Sequence, residues 1–256
     1  MYLLRSCAIA ISMYSKIPMP HVDWDEKNMK YVMCFFPLIG VVLGGLEIFL
    51  GGLLLKSGFG PLFFGAAMTL LPVLVTGGIH MDGFMDTMDA LSSYGDRTKK
   101  LEILKDPHAG AFAILGMCCY FLWSVALWSQ VTMGMLPVIG CGYMLSRSIS
   151  GFSVVTFPSA KDSGLAKTFQ DGAQKKTVRI TMLIYIVFLA AMMLSLDLKG
   201  GAGALSSACL VFLYYCHICK KQFGGITGDL AGYFLQLCEL GMLTGIVLIG
   251  GFLWRL

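Results

Sequence analysis

Apolar residues along this chain come in long blocks instead of stripes. Seven such blocks, at about 31–55, 60–79, 109–130, 135–156, 179–197, 202–219 and 230–254, approach the ~20 residues that a helix needs to cross the hydrocarbon core of a bilayer. Lipid supplies no hydrogen bonds, so each block must satisfy its own backbone groups and is expected as an α-helix. The pattern predicts an all-α fold, a polytopic integral membrane helical bundle with about seven transmembrane helices, and residues 1–256 as a single membrane-embedded domain. The N-terminus carries one early charge, Arg5, a short apolar run and no small-residue cleavage site. It is therefore expected to stay as a short interfacial or partly inserted helix.

Composition agrees with the blocks: 57% of residues are hydrophobic and 13% charged, against about 25% charged in soluble domains. A net charge of +4 would hint at nucleic acid in a soluble protein, but here the basic residues flank spans and no nucleic-acid partner is expected. With a cytoplasmic N-terminus, fifteen of the nineteen Lys and Arg fall on the inner side. Lys56, Lys199 and Arg255 remain outside, and Arg147 lies within a span. That asymmetry predicts a multi-pass protein of the cytoplasmic (inner) membrane with its N-terminus inside. The nine cysteines are mostly embedded in apolar segments and form no disulfide framework. Cys216-His217-Ile218-Cys219 lacks a second ligand pair at zinc spacing.

Every polar connection longer than a turn, 12–30, 80–108, 157–178 and 220–229, falls on the same inner side, so any chemistry is expected there. The most informative stretch is Gly77-Gly78-Ile79-His80-Met81-Asp82-Gly83-Phe84-Met85-Asp86-Thr87-Met88-Asp89. On a helix Asp82, Asp86 and Asp89 share an arc of about 60°, while Met81, Phe84, Met85, Met88 and Leu91 take the opposite face. Carboxylates this close repel one another, and all-oxygen ligation of a cation between them points to Mg²⁺ or Mn²⁺. A solvated acidic face pairing with Lys99, Lys100 and Lys105 is the plainer alternative, disfavoured beside a membrane span.

Three further elements carry candidate residues. Asp106-Pro107 before the third span reads as an N-cap with proline at the first helical position. Lys105 and His108 beside that helix start suit a phosphate, and His108 is also a candidate base. Phe157 to Phe169 supplies Lys161, and Gly224-Gly225-Ile226-Thr227-Gly228-Asp229 combines glycines that permit close approach with an Asp that can cap the last span. Arg147 and Glu239 are expected to face the bundle interior, pairing with each other or lining the site.

These motifs resemble, in order, the cobalamin synthase family. The stretch Gly77 to Asp89 is similar to its Gly-Gly-x-His-x-Asp-Gly-x-x-Asp-Thr-x-Asp signature, and Leu101 to Phe112 to the block that follows. Tyr14 to Pro20, Phe36 to Gly40 and Gly224 to Asp229 match the remaining motifs; Ala90 stands where Gly is common and Lys161 where Arg is common. The resemblance implies that adenosylcobinamide-GDP is joined to α-ribazole, or to its 5′-phosphate, giving adenosylcobalamin or its 5′-phosphate and releasing GMP, with Mg²⁺ as cofactor. It further implies Asp82, Asp86, Asp89 and Asp106 as metal ligands. Asp82, His108 and Lys105 would carry catalysis, His80, Lys161, Thr227, Asp229 and Arg147 would bind substrate, and the ribazole 5′-hydroxyl would be the attacking group. A second copy of the chain or other corrinoid-pathway enzymes are the candidate protein partners, alongside the lipid bilayer.

Two rivals remain in view. A CDP-alcohol phosphotransferase would carry Ala-Arg before the position of Asp89 and a second Gly-x-x-x-Asp-x-x-x-Asp half, and neither is present. A divalent-cation or corrinoid transporter would distribute carboxylates at midplane over several spans, whereas here they cluster in one inner segment.

Overall fold

The computed structural model describes Tyr2–Phe252; Arg255 and the end of the block expected over 230–254 lie outside the described residues. The helices are α1 (Tyr2–Tyr14), α2 (Glu26–Met29), α3 (Val32–Lys56), α4 (Pro61–Thr76), α5 (Ile79–Ser92), α6 (Arg97–Ile103), α7 (Ala111–Trp128), α8 (Leu136–Thr156), α9 (Leu165–Gly172), α10 (Lys175–Leu196), α11 (Leu198–Ile218) and α12 (Gly228–Gly245). Short π-helical turns, Cys219–Phe223 and Ile246–Phe252, continue α11 and α12. The chain is a polytopic all-α membrane protein: α3, α7, α8, α10, α11 and α12 are each long and apolar enough to cross a bilayer.

The second block, expected over 60–79, behaves differently from the rest. It forms α4, which stops at Thr76, and α5 then departs at 99°. Gly77 and Gly78, at φ +69° and +81°, make this corner, a left-handed conformation open to residues without a Cβ. Thr76 closes it, donating to the Pro72 carbonyl at 2.7 Å and accepting from Gly78 N–H at 3.3 Å. Asp82, Asp86 and Asp89 therefore ride on a helix aimed away from the span that precedes it.

The axis of the bundle is α8 with α12: 83% of the apolar stretch of α8 and 61% of that of α12 are buried, against 22% for α10. Leu62, Leu74, Leu122, Val187 and Leu210 on the outer helices are exposed, as lipid-facing positions should be. Without a hydrophobic drive between helices in lipid, α3 and α8 hold together by close backbone approach. A Cβ added at Gly44 would land on the Gly140 carbonyl, and one at Gly40 on the Tyr143 carbonyl.

Charges inside this apolar bundle are paired or hydrogen-bonded. Arg147, 1% exposed, donates to Glu239 at 2.7 Å and to the Tyr143 carbonyl at 2.8 Å, while Ser146 donates to Glu239 at 2.9 Å. Glu47 of α3, fully buried, accepts from the Tyr143 hydroxyl at 3.2 Å. This third intramembrane charge is concealed in sequence by the apolar block around it.

The polar connections meet at one end, as their distribution predicts. Lys16 N–H reaches the Val75 carbonyl at 2.8 Å and Gln174 N–H the Lys30 carbonyl at 2.9 Å. A two-bond bridge, Ala160 N–H to Ile226 O at 2.8 Å and Ile226 N–H to Pro158 O at 2.9 Å, ties the segment after α8 to the turn before α12. The expected loop over 157–178 also holds a helix of its own, α9.

Candidate functional site

α5 forms as its pattern predicts. Met81, Phe84, Thr87 and Ala90 are buried, whereas Asp82 is exposed and Asp86 and Asp89 half-buried. Phe84 anchors the helix by stacking on Tyr233 of α12, ring centres 5.4 Å apart. Gly83 makes the approach possible: a Cβ there would sit 2.7 Å from the Asp229 carbonyl. This contact carries the acidic stripe to the start of α12.

Four carboxylates and one amine result. Asp86 lies in the field of Asp82, Asp229 and Asp89, offset by Lys161. Lys161 donates to Asp229 at 3.1 Å and to the Leu104 carbonyl at 3.5 Å. Thr227 caps α12 by accepting from Leu230 N–H at 3.1 Å and donates to Asp229 at 3.3 Å. Thr227 is thus the N-cap, and Asp229 is free to hold Lys161.

Asp82, Lys161, Thr227 and Asp229, but not Asp86 or Asp89, border a cleft of about 210 Å³ between α5, α8, the 159–167 segment and the start of α12. Its walls include Tyr14, His80, Asp82, Lys161, Thr227 and Asp229. His80 is 4% exposed and stacks on Tyr14 at 5.8 Å, with Phe36 edge-on at 6.1 Å. Its Nε2 has no hydrogen-bond partner among the described residues. Such a buried nitrogen is costly unless a ligand meets it.

Asp82 and Asp86 suit a hard cation, since neither has a hydrogen-bond or ion-pair partner among the described residues. No three His, Cys, Asp or Glu side chains are assembled as a closed metal cage among the described residues. Magnesium does not need one: it keeps several waters and is commonly held by one or two carboxylates plus substrate phosphates. The donor set therefore fits a cation that is completed by its substrate.

The other candidates are placed elsewhere. Asp89 accepts from Gly110 N–H at 2.5 Å and Ala113 N–H at 2.8 Å, so it caps α7 from a neighbouring helix. Asp106 is not that cap, because α7 begins at Ala111 and not after Pro107. Asp106 instead accepts from His108 N–H at 3.0 Å and meets the His108 ring at 2.8 Å, contacts that hold its carboxyl below the usual range. At the helix start where a phosphate site was expected beside Lys105 and His108, two N–H groups, those of Gly110 and Ala113, are filled by Asp89. Lys105 and His108 are exposed on that loop and do not line the cleft. Arg147 is held by Glu239 inside the bundle and does not line it either. Tyr14 and the start of α9, by contrast, line it without having been singled out as site residues; only the Tyr14 to Pro20 motif hinted at the former.

Comparison with known proteins follows the same lines. Residues 6–247 match the family model described as cobalamin-5-phosphate synthase. The chain is 46% identical over 250 residues to an adenosylcobinamide-GDP ribazoletransferase of Lachnoclostridium phytofermentans, covering 97% of this chain and 95% of that protein. It is 33% identical over 251 residues to the Clostridium perfringens protein of the same name, covering 96% and 97%. A Geobacillus kaustophilus relative of that name is 28% identical over 255 residues, covering 97% and 94%. No solved structure matches.

Proposed function

The chain belongs to the cobalamin-5-phosphate synthase family, and from that premise we propose how its cleft performs the reaction. The protein is an adenosylcobinamide-GDP ribazoletransferase: it joins adenosylcobinamide-GDP to α-ribazole or its 5′-phosphate and releases GMP. The observation that carries the assignment to this site is the meeting of Asp82, the Lys161–Asp229 pair and the unpartnered His80 in one cleft at the polar end of the bundle, with Asp86 in the field of Asp82, Asp229 and Lys161 beside it.

Asp82 and Asp86 would hold Mg²⁺. When bound, the ion neutralises charge on the phosphates as GMP leaves. Lys161, positioned by Asp229, adds a positive charge to the cleft wall. The oxygen of a ribose hydroxyl forms a bond to the phosphorus on the corrinoid side. The bridging P–O bond of the pyrophosphate breaks, and GMP departs with the electron pair. The hydroxyl proton passes to a cleft carboxylate; the loose transition state of phosphoryl transfer asks little of a base.

The 5′-hydroxyl expected as the attacking group does not survive the family's own description. A cobalamin 5-phosphate product carries phosphate on that oxygen, so the attack must come from a ring hydroxyl of the ribose. That choice serves both forms of the ribazole.

The crowding of Lys and Arg at the site end supports a cytoplasmic active site and a cytoplasmic N-terminus in the inner membrane. The test is GMP release from adenosylcobinamide-GDP by the purified protein, dependent on both ribazole and Mg²⁺. Asp82→Asn should abolish transfer in protein that still accumulates folded in membranes. Near-normal turnover by that variant would remove Asp82 from the site.

A further inference from the structure

A second cavity lies inside the bundle, apart from the cleft. It is bounded by α4, α7, α8 and α12 beneath the α4–α5 corner, and its walls include Thr69, Tyr120, Ser124, Tyr143, Gln236 and Glu239. Glu239 stands ten residues beyond Asp229, about 15 Å along α12, so these polar groups sit in the apolar depth of the bundle. They are incompletely bonded. Gln236, 8% exposed, makes no hydrogen bond among the described residues, and neither does the Tyr120 hydroxyl. Glu239 accepts from Arg147 and Ser146 through Oε1 and leaves Oε2 without a partner. Thr69 and Ser124 share one hydrogen bond at 3.0 Å, which leaves lone pairs on both oxygens. Polar groups at this depth are costly unless a ligand meets them.

Charge gives an independent argument. Inside the bundle two carboxylates, Glu47 and Glu239, face the single guanidinium of Arg147. Glu47 is fully buried, and its Oε2 has no partner among the described residues. Tyr143 donates to Glu47 at 3.2 Å and also lines the cavity, so the unmatched negative charge lies one side chain away from it. The group is one positive charge short. Size narrows the occupant further: about 40 Å³ holds roughly three water-sized spheres. A divalent ion would overshoot the charge, and magnesium keeps several waters of its own. Oxygen donors around a space this small suit a bare monovalent hard cation.

We propose that this cavity binds one sodium ion, held by Glu239 and Gln236 of α12 together with hydroxyl oxygens of α4 and α7. The ion ties α4 and α7 to α12, the helix whose first turn carries Asp229 into the cleft. Its role is structural, and it is independent of the transferase reading.

The test uses purified full-length protein in detergent, with EDTA present so that a divalent ion at Asp82 and Asp86 does not contribute. Radioactive sodium should bind at about one ion per chain and be displaced by unlabelled sodium but not by choline. At equal ionic strength, sodium chloride at about ten times the Kd should raise the melting temperature by about 3–6 °C over choline chloride. Gln236→Leu removes one oxygen ligand and no charge, and should weaken sodium binding at least about tenfold and erase the thermal shift. Thr69→Val, close in shape, should weaken binding in the same direction and is the variant to read if Gln236→Leu does not fold. No sodium binding by folded wild type, or the same melting temperature in both salts, would overturn the proposal and leave a proton on Glu47 to balance the charge. Binding undiminished in both variants would overturn it too, by placing the ion elsewhere.

Discussion

Replacing Asp89 by Asn separates two roles open to a carboxylate on the acidic stripe. The stripe suggests a cation ligand, whereas the structure gives Asp89 the N–H groups of Gly110 and Ala113 at 2.5 and 2.8 Å. Hydrogen bonds to a charged acceptor contribute about 1.5–3 kcal/mol each, and a negative charge at a helix start adds about 0.3–1 kcal/mol. Asparagine keeps one acceptor and turns its NH₂ towards the second N–H, so Asp89→Asn should lose about 2–3 kcal/mol of stability. Activity per folded molecule should fall less than about tenfold, because the cation site is left in place. Asp86→Asn should behave oppositely: transfer drops by more than about 10²-fold, with no loss of stability, since a like charge has been removed from a crowded cluster. Thermal unfolding in detergent by tryptophan fluorescence, beside GMP release titrated with Mg²⁺, reads both quantities. If Asp89→Asn is as stable as wild type but inactive, and recovers at higher Mg²⁺, then Asp89 is a cation ligand and the capping argument fails.

Four further outcomes are expected. Arg147→Met leaves Glu239 charged and unpaired in the bundle, which costs about 3–5 kcal/mol; the folded yield should collapse and recover when Glu239→Gln is added, and no recovery would show that the pair is not the reason. Gly44→Leu drives α3 from α8 and should prevent accumulation of folded protein, while Gly45→Leu, where a Cβ meets nothing within 4 Å, should be tolerated; equal tolerance of both would contradict the packing. Chelation with EDTA should stop GMP release and Mg²⁺ restore it, so activity that persists in chelator counts against a metal-assisted step. Asp106→Asn, which disturbs only the pairing with His108, should change kcat/KM by less than about threefold, and a loss comparable to that of Asp82→Asn would restore Asp106 to the site.

Much of the architecture was legible because the bilayer leaves few solutions. A block of ~20 apolar residues in lipid must be a helix, and the bias of Lys and Arg orders the helices end to end. The Asp82, Asp86 and Asp89 stripe could be read because a helical period puts those residues on one face whatever surrounds them. Tertiary structure decided what each of them does. Asp89 turned from the cluster to α7 because α7 starts at Ala111, a boundary that Asp106-Pro107 misplaced by several residues. Lys161 and Asp229, 68 positions apart, became partners only because the bridge between Ser159 and Ile226 joins their segments. Glu47 was hidden by its apolar neighbours, and His80 was named as a substrate-binding residue through its motif, but only packing reveals that the first is bonded to Tyr143 and that the second is buried with a nitrogen without a partner among the described residues. The sequence by itself determined the helices, their order and which end gathers the polar connections, since these depend on local composition and period. The cleft, and the division of the acidic stripe into carboxylates left without partners and one that caps α7, depends on which helix ends meet across the bundle, and that follows from glycine contacts such as Gly83 on Asp229 and Gly44 on Gly140, which no local pattern specifies.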